Sequence, residues 1–139
     1  MFPAIEVNGQ LYYDGGCSDA IPWKRAFDAG CDRVVVVLTR ERDYRKGPDK
    51  TLHALEASLR KYPAFLETMR NRAEQYNACR EELFALEQDG KIIVIAPEDT
   101  LGCSRTEKDV ELLRALWQNG YFAGRRYSDQ IRSFWSESL

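Results

Sequence analysis

Apolar positions along the chain follow three different rhythms, and each predicts a different element. Alternation comes first. Ala4 to Val7 and Gln10 to Tyr13 are short alternating segments around Asn8-Gly9. Asn-Gly supplies two residues that tolerate positive φ, so the pair predicts a tight hairpin with Asp14 just beyond its second strand. Continuous apolar runs come next: Arg33 to Thr39, RVVVVLT, and Lys91 to Ala96, KIIVIA, the second stopped by Pro97. Strands apolar on both faces belong inside a sheet that is covered on both sides. The third rhythm is helical. Leu66, Met69, Ala73, Tyr76, Cys79, Leu83 and Leu86 recur at steps of three and four and mark one apolar face. Asp89-Gly90 ends that helix, and Pro63 divides it from an earlier one over Lys50 to Arg60.

Punctuation supplies the remaining elements. Pro22 suits the first turn of a helix and Gly30 the position after its end, so a helix of about two turns fits between them. Thr106 to Asp109 resembles a capping box with Asp in place of Glu. Val110, Leu113 and Trp117 then predict a helix that stops near Gly120, and Ile131, Phe134 and Trp135 a last helix from about Ser128. Strands alternating with helices give the α/β class. With 139 residues the chain reads as a single unit. Its stretches are 1–48 (hairpin, loop, short helix and core strand), 49–90 (helical) and 91–139 (strand and terminal helices).

Charge narrows the partners. Twenty basic and 22 acidic residues are interspersed, with a net charge of −2 and no basic stripe, so nucleic acid is not an expected partner. The longest apolar run, Val34 to Leu38, is far too short for a membrane span. The N-terminal MFPAIEVNG lacks a charged region followed by an apolar one and does not read as a signal peptide. Cys17, Cys31, Cys79 and Cys103 are widely spaced and His53 is the one histidine. Zinc is therefore not expected, nor any other metal or cofactor, and the thiols read as those of a reduced, cytoplasmic protein.

Candidate chemistry gathers in YYDGGCSD, Tyr12 to Asp19. Asp14-Gly15-Gly16 can be a simple turn, since Asp and Gly both favour one. It also lies beyond the carboxyl end of a strand, where α/β sheets bind ligands. Ser18 stands in Gly-Cys-Ser-Asp-Ala, one residue short of a nucleophile elbow. The elbow needs a helix directly after the serine, and Pro22 puts the helix later, so Ser18 reads as a loop or cap residue. Cys17 as nucleophile needs a base, and His53 sits on a charged helical stretch with no acid positioned by the pattern. Asp14, Asp19 and Asp28 do not match the spacing of a calcium loop. The runs RERDYRK and RNRAEQ read as solvated faces, and Trp117, Phe134 and Trp135 as core or contact residues.

The ordered set YYDGGCSDAIPWKRAFDAGCDRVVVVLTR resembles the C-terminal catalytic segment of bacterial patatin-like phospholipases, in which Asp-Gly-Gly follows a strand and a loop with Asp and Pro leads through a helix to a hydrophobic strand. The stretch LEQDGKIIVIAPEDTLGCSRTEKDVELLRALWQNGY is similar to the tail of one bacterial branch. The resemblance implies a three-layer α/β/α domain with additional helices and a Ser–Asp dyad acting on lipid esters, with peripheral contact to a membrane. Asp14 matches the dyad aspartate, and Gly15, Gly16 and Asp19 its supporting loop. No Gly-x-Ser-x-Gly and no glycine-rich oxyanion loop occurs in this sequence. The expectation is therefore a C-terminal part of a patatin-like acyl hydrolase, inactive alone and completed by the remaining N-terminal part of the domain. The alternative is a non-catalytic α/β module that binds a partner.

Overall fold

The computed structural model describes residues 4–50, 52–104 and 106–136, with every side chain among them except that of Leu55. The N-terminal stretch that does not read as a signal peptide begins with Met1–Pro3, outside the described residues. In chain order the elements are β1 (Ile5–Val7), β2 (Gln10–Tyr12), a 3₁₀ turn (Gly15–Cys17), α1 (Trp23–Asp28), β3 (Val34–Val37), α2 (Leu52–Leu59), α3 (Pro63–Gln88), β4 (Ile92–Ile95), α4 (Val110–Arg126) and α5 (Ser128–Ser136). This is a mixed α/β chain with small sheets. Its backbone contacts form two compact units, Met1–Pro22 with Arg45–Glu82 and Trp23–Tyr44 with Leu83–Leu139.

In the first unit β1 and β2 pair antiparallel, with Ile5 opposite Tyr12 and Val7 opposite Gln10. Asn8 (φ 51°) and Gly9 (φ 76°) make the turn that the dipeptide predicts. Leu59 from α2 and Leu66 and Met69 from α3 are buried. Pro63 opens α3, where its missing N–H costs nothing. The loop before α2 is held by a two-way contact: Lys46 N–H donates to Asn77 Oδ1 (2.9 Å), and Asn77 Nδ2 donates to the Lys46 carbonyl (3.0 Å).

In the second unit β3 and β4 pair parallel, Val34 to Val37 opposite Ile92 to Ile95 in step. Ile92, Ile93 and Val94 are buried, as are Val36, Leu38, Leu83, Ala96 and Ala123. Two helices reach this sheet by the same device. At the end of α1, Gly30 N–H bonds Phe27 O (2.9 Å) and Cys31 N–H bonds Ala26 O (3.0 Å); at the end of α3, Gly90 N–H bonds Glu87 O (3.0 Å) and Lys91 N–H bonds Leu86 O (3.0 Å). Both are Schellman caps, and both glycines have positive φ, 92° and 71°.

The structure corrects four expectations. β3 is not covered on both faces, for Val37 is 69 % exposed while Val94 of β4 is fully buried. The cap of α4 is Asp109 itself, whose carboxylate accepts from the N–H groups of Glu111 and Leu112, so the helix starts later than a box opened by Thr106 requires. α4 also runs through Gly120 to Arg126. A glycine costs a helix interior about 1 kcal/mol, and the Trp117 and Tyr121 rings stack across that turn with centroids 5.5 Å apart. Of the two alternatives for Trp117 and Trp135, core or contact, the core one falls: they are 66 % and 51 % exposed.

Candidate functional site

The Asp14 loop is built by local rules. β2 ends at Tyr12, and the Tyr13 ring stacks on Phe65 of α3 with centroids 4.4 Å apart. That stacking fixes where the chain leaves the hairpin. Asp14 then caps the 3₁₀ turn: its Oδ1 accepts from Gly16 N–H at 2.9 Å, and its carbonyl accepts from Cys17 N–H at 2.9 Å. A Cβ placed on Gly16 would lie 3.3 Å from Asp14 Oδ1, so a larger residue there would require the carboxylate to give by a few tenths of an ångström. A Cβ on Gly15 would meet nothing within 4 Å.

The Gly15 carbonyl gathers the rest of the loop. It accepts from Ser18 N–H (3.0 Å), Asp19 N–H (2.8 Å) and the Ser18 hydroxyl (3.3 Å). Ser18 is thus a cap residue of the turn, as its setting before Pro22 suggests. Asp19 holds the loop by its amide, not by its carboxylate, which has no hydrogen-bond partner among the described residues. From α3, Arg72 Nε donates to the Gly16 carbonyl at 2.9 Å, and Cys79 Sγ lies 3.8 Å from the Ile21 carbonyl. The loop is therefore pinned at both ends to one helix.

This construction leaves the Asp14 carboxylate exposed, with Gly16 N–H as its hydrogen-bond partner. Beside it lies an open cleft of about 330 Å³ lined by Leu11, Tyr12, Tyr13, Tyr62, Phe65 and Thr68 together with the loop. The walls are largely aromatic and the loop is the polar end. An oriented carboxylate in such a place can accept a proton from a group brought to it. Ser18 does not reach it, since the serine hydroxyl turns to Gly15 O. His53 does not line the Asp14 cleft; it lies at a separate open cleft with Glu56 and Arg70, its side chain 94 % exposed and Nδ1 3.9 Å from Glu56. The four cysteines are free thiols, and among the described residues no three of His, Cys, Asp or Glu are grouped to hold a metal.

The charged runs do more than face solvent. Arg72 from RNRAEQ holds the loop. Arg42 from RERDYRK pairs with Glu87, and Glu41 from the same run accepts from both N–H (2.7 Å) and Oγ1 of Thr100. These bonds hold the Glu41 carboxyl below the usual glutamate range, the Thr100 hydroxyl contributing most. A charged run gives no sign in sequence of which member turns inward, because the partners lie 45 and 59 positions away.

Among known families, the model described as a domain of unknown function, DUF6363, matches residues 62–136. The match takes in α3, β4, α4 and α5 and leaves the Asp14 loop outside it. Comparison with curated proteins finds no match.

Proposed function

The chain belongs to the DUF6363 family of domains of unknown function, and we propose that in this member the segment ahead of the matched region is the aspartate-bearing part of a patatin-like lipid acyl hydrolase. On this reading Asp14 is the base of a Ser–Asp dyad, and the serine and oxyanion donors come from a separate N-terminal part of the domain, within a three-layer α/β/α fold. The observation that carries the reading is the setting of Asp14. Its carboxylate is oriented by Gly16 N–H, exposed, and next to an aromatic cleft at the end of a strand. An apolar cleft with one polar end suits an acyl ester. Asp14 would take the serine proton during attack on the ester carbonyl, with no histidine relay. Ester-bearing lipid at a membrane surface is the substrate class this implies.

The test supplies the chain with the nucleophile-bearing N-terminal segment of a patatin-like hydrolase and follows hydrolysis of a p-nitrophenyl ester. Asp14→Asn should lower turnover by about 10²–10⁴, the range for loss of a general base. Asp19→Asn should cost far less, because its amide and not its carboxylate supports the loop. Undiminished turnover with Asp14→Asn, or a dead Asp19→Asn beside it, would exclude the dyad.

One observation favours a second reading, the non-catalytic binding module. The family match begins at Tyr62 and so is defined without the Asp14 loop. If the matched region binds a partner and the loop plays no part, substitutions at Asp14 and Asp19 will leave that binding unchanged.

A further inference from the structure

Arg33 stands one position before β3, and Lys91 one position before β4. The parallel register pairs Val34 with Ile92, so the two cations are neighbours across the start of the sheet. Like charges at neighbouring strand positions repel. Lys91 is compensated, for its ammonium lies 3.5 Å from the Asp89 carboxylate. Arg33 is not. Among the described residues no carboxylate pairs with it, Asp32 included, and no acceptor takes a hydrogen bond from it. Its guanidinium lies over the Phe134 ring, 5.0 Å from the centroid. Nη1 is also cut off from water, so solvent does not satisfy it in place of a partner.

A cation placed after a helix can serve the free carbonyls of its last turn, and α1 and α3 end shortly before this pair. That work is done by backbone amides. Gly30 and Cys31 take the carbonyls of Phe27 and Ala26, and Gly90 and Lys91 take those of Glu87 and Leu86. Arg33 is thus not held by the helix ends, and a buried donor without a partner calls for a reason. The surroundings supply one. Arg33, Lys91 and Asp32 line an open cleft of about 310 Å³, walled further by Gly90 and the half-buried rings of Phe27 and Phe134. Ligand sites start at about this size.

We infer that this cleft is a binding site for a small organic monocarboxylate with a short or flat apolar body. Nε and Nη2 of Arg33 are not cut off as Nη1 is, and together they form the side-on donor pair of the guanidinium. A carboxylate fits such a fork with two parallel hydrogen bonds. The cation is delocalised, so an anion on that edge also compensates the charge on Nη1. A phosphate dianion suits the cleft less. Lys91 is already shared with Asp89, and Asp32 stands in the wall as a like charge. The Phe27 and Phe134 rings give the body of the ligand an apolar wall. The site lies wholly within the second unit, shares no residue with the Asp14 cleft, and holds whether or not the hydrolase reading does.

The probe is sodium benzoate, added to the whole chain and followed by the NMR signals of Arg33 Nε–Hε and the Phe134 ring. Both should shift and saturate at about millimolar concentration, the range open to a ligand of so few atoms. Benzamide has the same shape without the charge and should bind about tenfold more weakly, as loss of a charge-assisted hydrogen bond requires. Arg33→Lys keeps the charge and loses the fork, and should weaken benzoate by about tenfold as well. Arg33→Met removes a donor that has no partner, so without benzoate its melting temperature should equal or exceed that of the parent chain. Benzoate should raise the melting temperature of the parent and not of this variant. Amide spectra of both variants should match the parent away from the cleft, which separates lost binding from lost fold. No shift at Arg33 or Phe134, equal binding of benzamide, or undiminished binding by Arg33→Lys would overturn the inference. Inorganic phosphate binding more tightly than benzoate would overturn the monocarboxylate. A marked loss of stability in Arg33→Met would also overturn it, since the guanidinium would then serve the fold. Ester hydrolysis is not a readout here, so failure of the hydrolase reading leaves these results untouched.

Discussion

Thr100 gives the Glu41 carboxylate two donors, its hydroxyl and its amide, and these help to set its response to pH. The bonds favour the charged carboxylate, so its folded pKa lies below its unfolded one. A group shifted down contributes stability that is present in full above the unfolded pKa and is lost as pH falls through the folded pKa. The Glu41–Thr100 contact should therefore stabilise the second unit at neutral pH and fade once the pH drops below the usual glutamate range. Thr100→Val removes the hydroxyl, the largest cause, and keeps the backbone donor. Glu41 should then titrate closer to an ordinary glutamate by carbon-detected NMR, and the acid limb of thermal stability should flatten. An unchanged titration would mean that the threonine hydroxyl does not act on Glu41.

Between residues and fold stand the helices, where one glycine at an end and one in an interior should respond to the same substitution in opposite directions. Gly90 closes α3 with φ 71°, in the left-handed region that costs other residues about 1–2 kcal/mol. Gly90→Ala should destabilise the chain by about that amount in urea unfolding. Gly120 lies inside α4, exposed, with nothing within 4 Å of where its Cβ would be. Gly120→Ala should therefore stabilise by about 0.5–1 kcal/mol, the helix-interior difference between the two residues. A loss of stability at Gly120 would show that the glycine serves a close contact made by this face.

At the scale of the whole molecule, the described helices include none long and apolar enough to cross a membrane. Exposed apolar side chains are nonetheless spread over several elements: Ile5, Val7 and Leu11 on the hairpin, Val37 on β3, Trp117 and Phe122 on α4. Single exposed apolar residues are ordinary, but a bare strand edge favours association. On the hydrolase reading, the chain by itself should hydrolyse p-nitrophenyl esters no faster than buffer, since loss of one oxyanion donor alone costs about 10²–10³ in rate. Turnover by the isolated chain that disappears in Ser18→Ala would overturn both that expectation and the assignment of Ser18 as a cap.

Elements are legible in the sequence wherever a local rule suffices. Asn8-Gly9 dictates its own turn, Gly30 and Gly90 dictate theirs, and Pro63 opens α3, because the backbone preferences of these residues act within four or five positions. The apolar face from Leu66 to Leu86 is equally readable, each member being buried or half-buried. Asp14 can be located at a strand's end, and its role as cap of the next turn is also local. What the sequence does not contain is any pairing across distance. Arg42 and Glu87 close the β4 edge, Arg72 clamps Gly16, and Thr100 holds Glu41; each is a polar residue whose partner only the fold brings near. The valine run by itself predicted a strand covered on both sides, and Val37 is exposed. Which of its faces is left open was decided by tertiary structure, because cover is a property of neighbours and not of the strand.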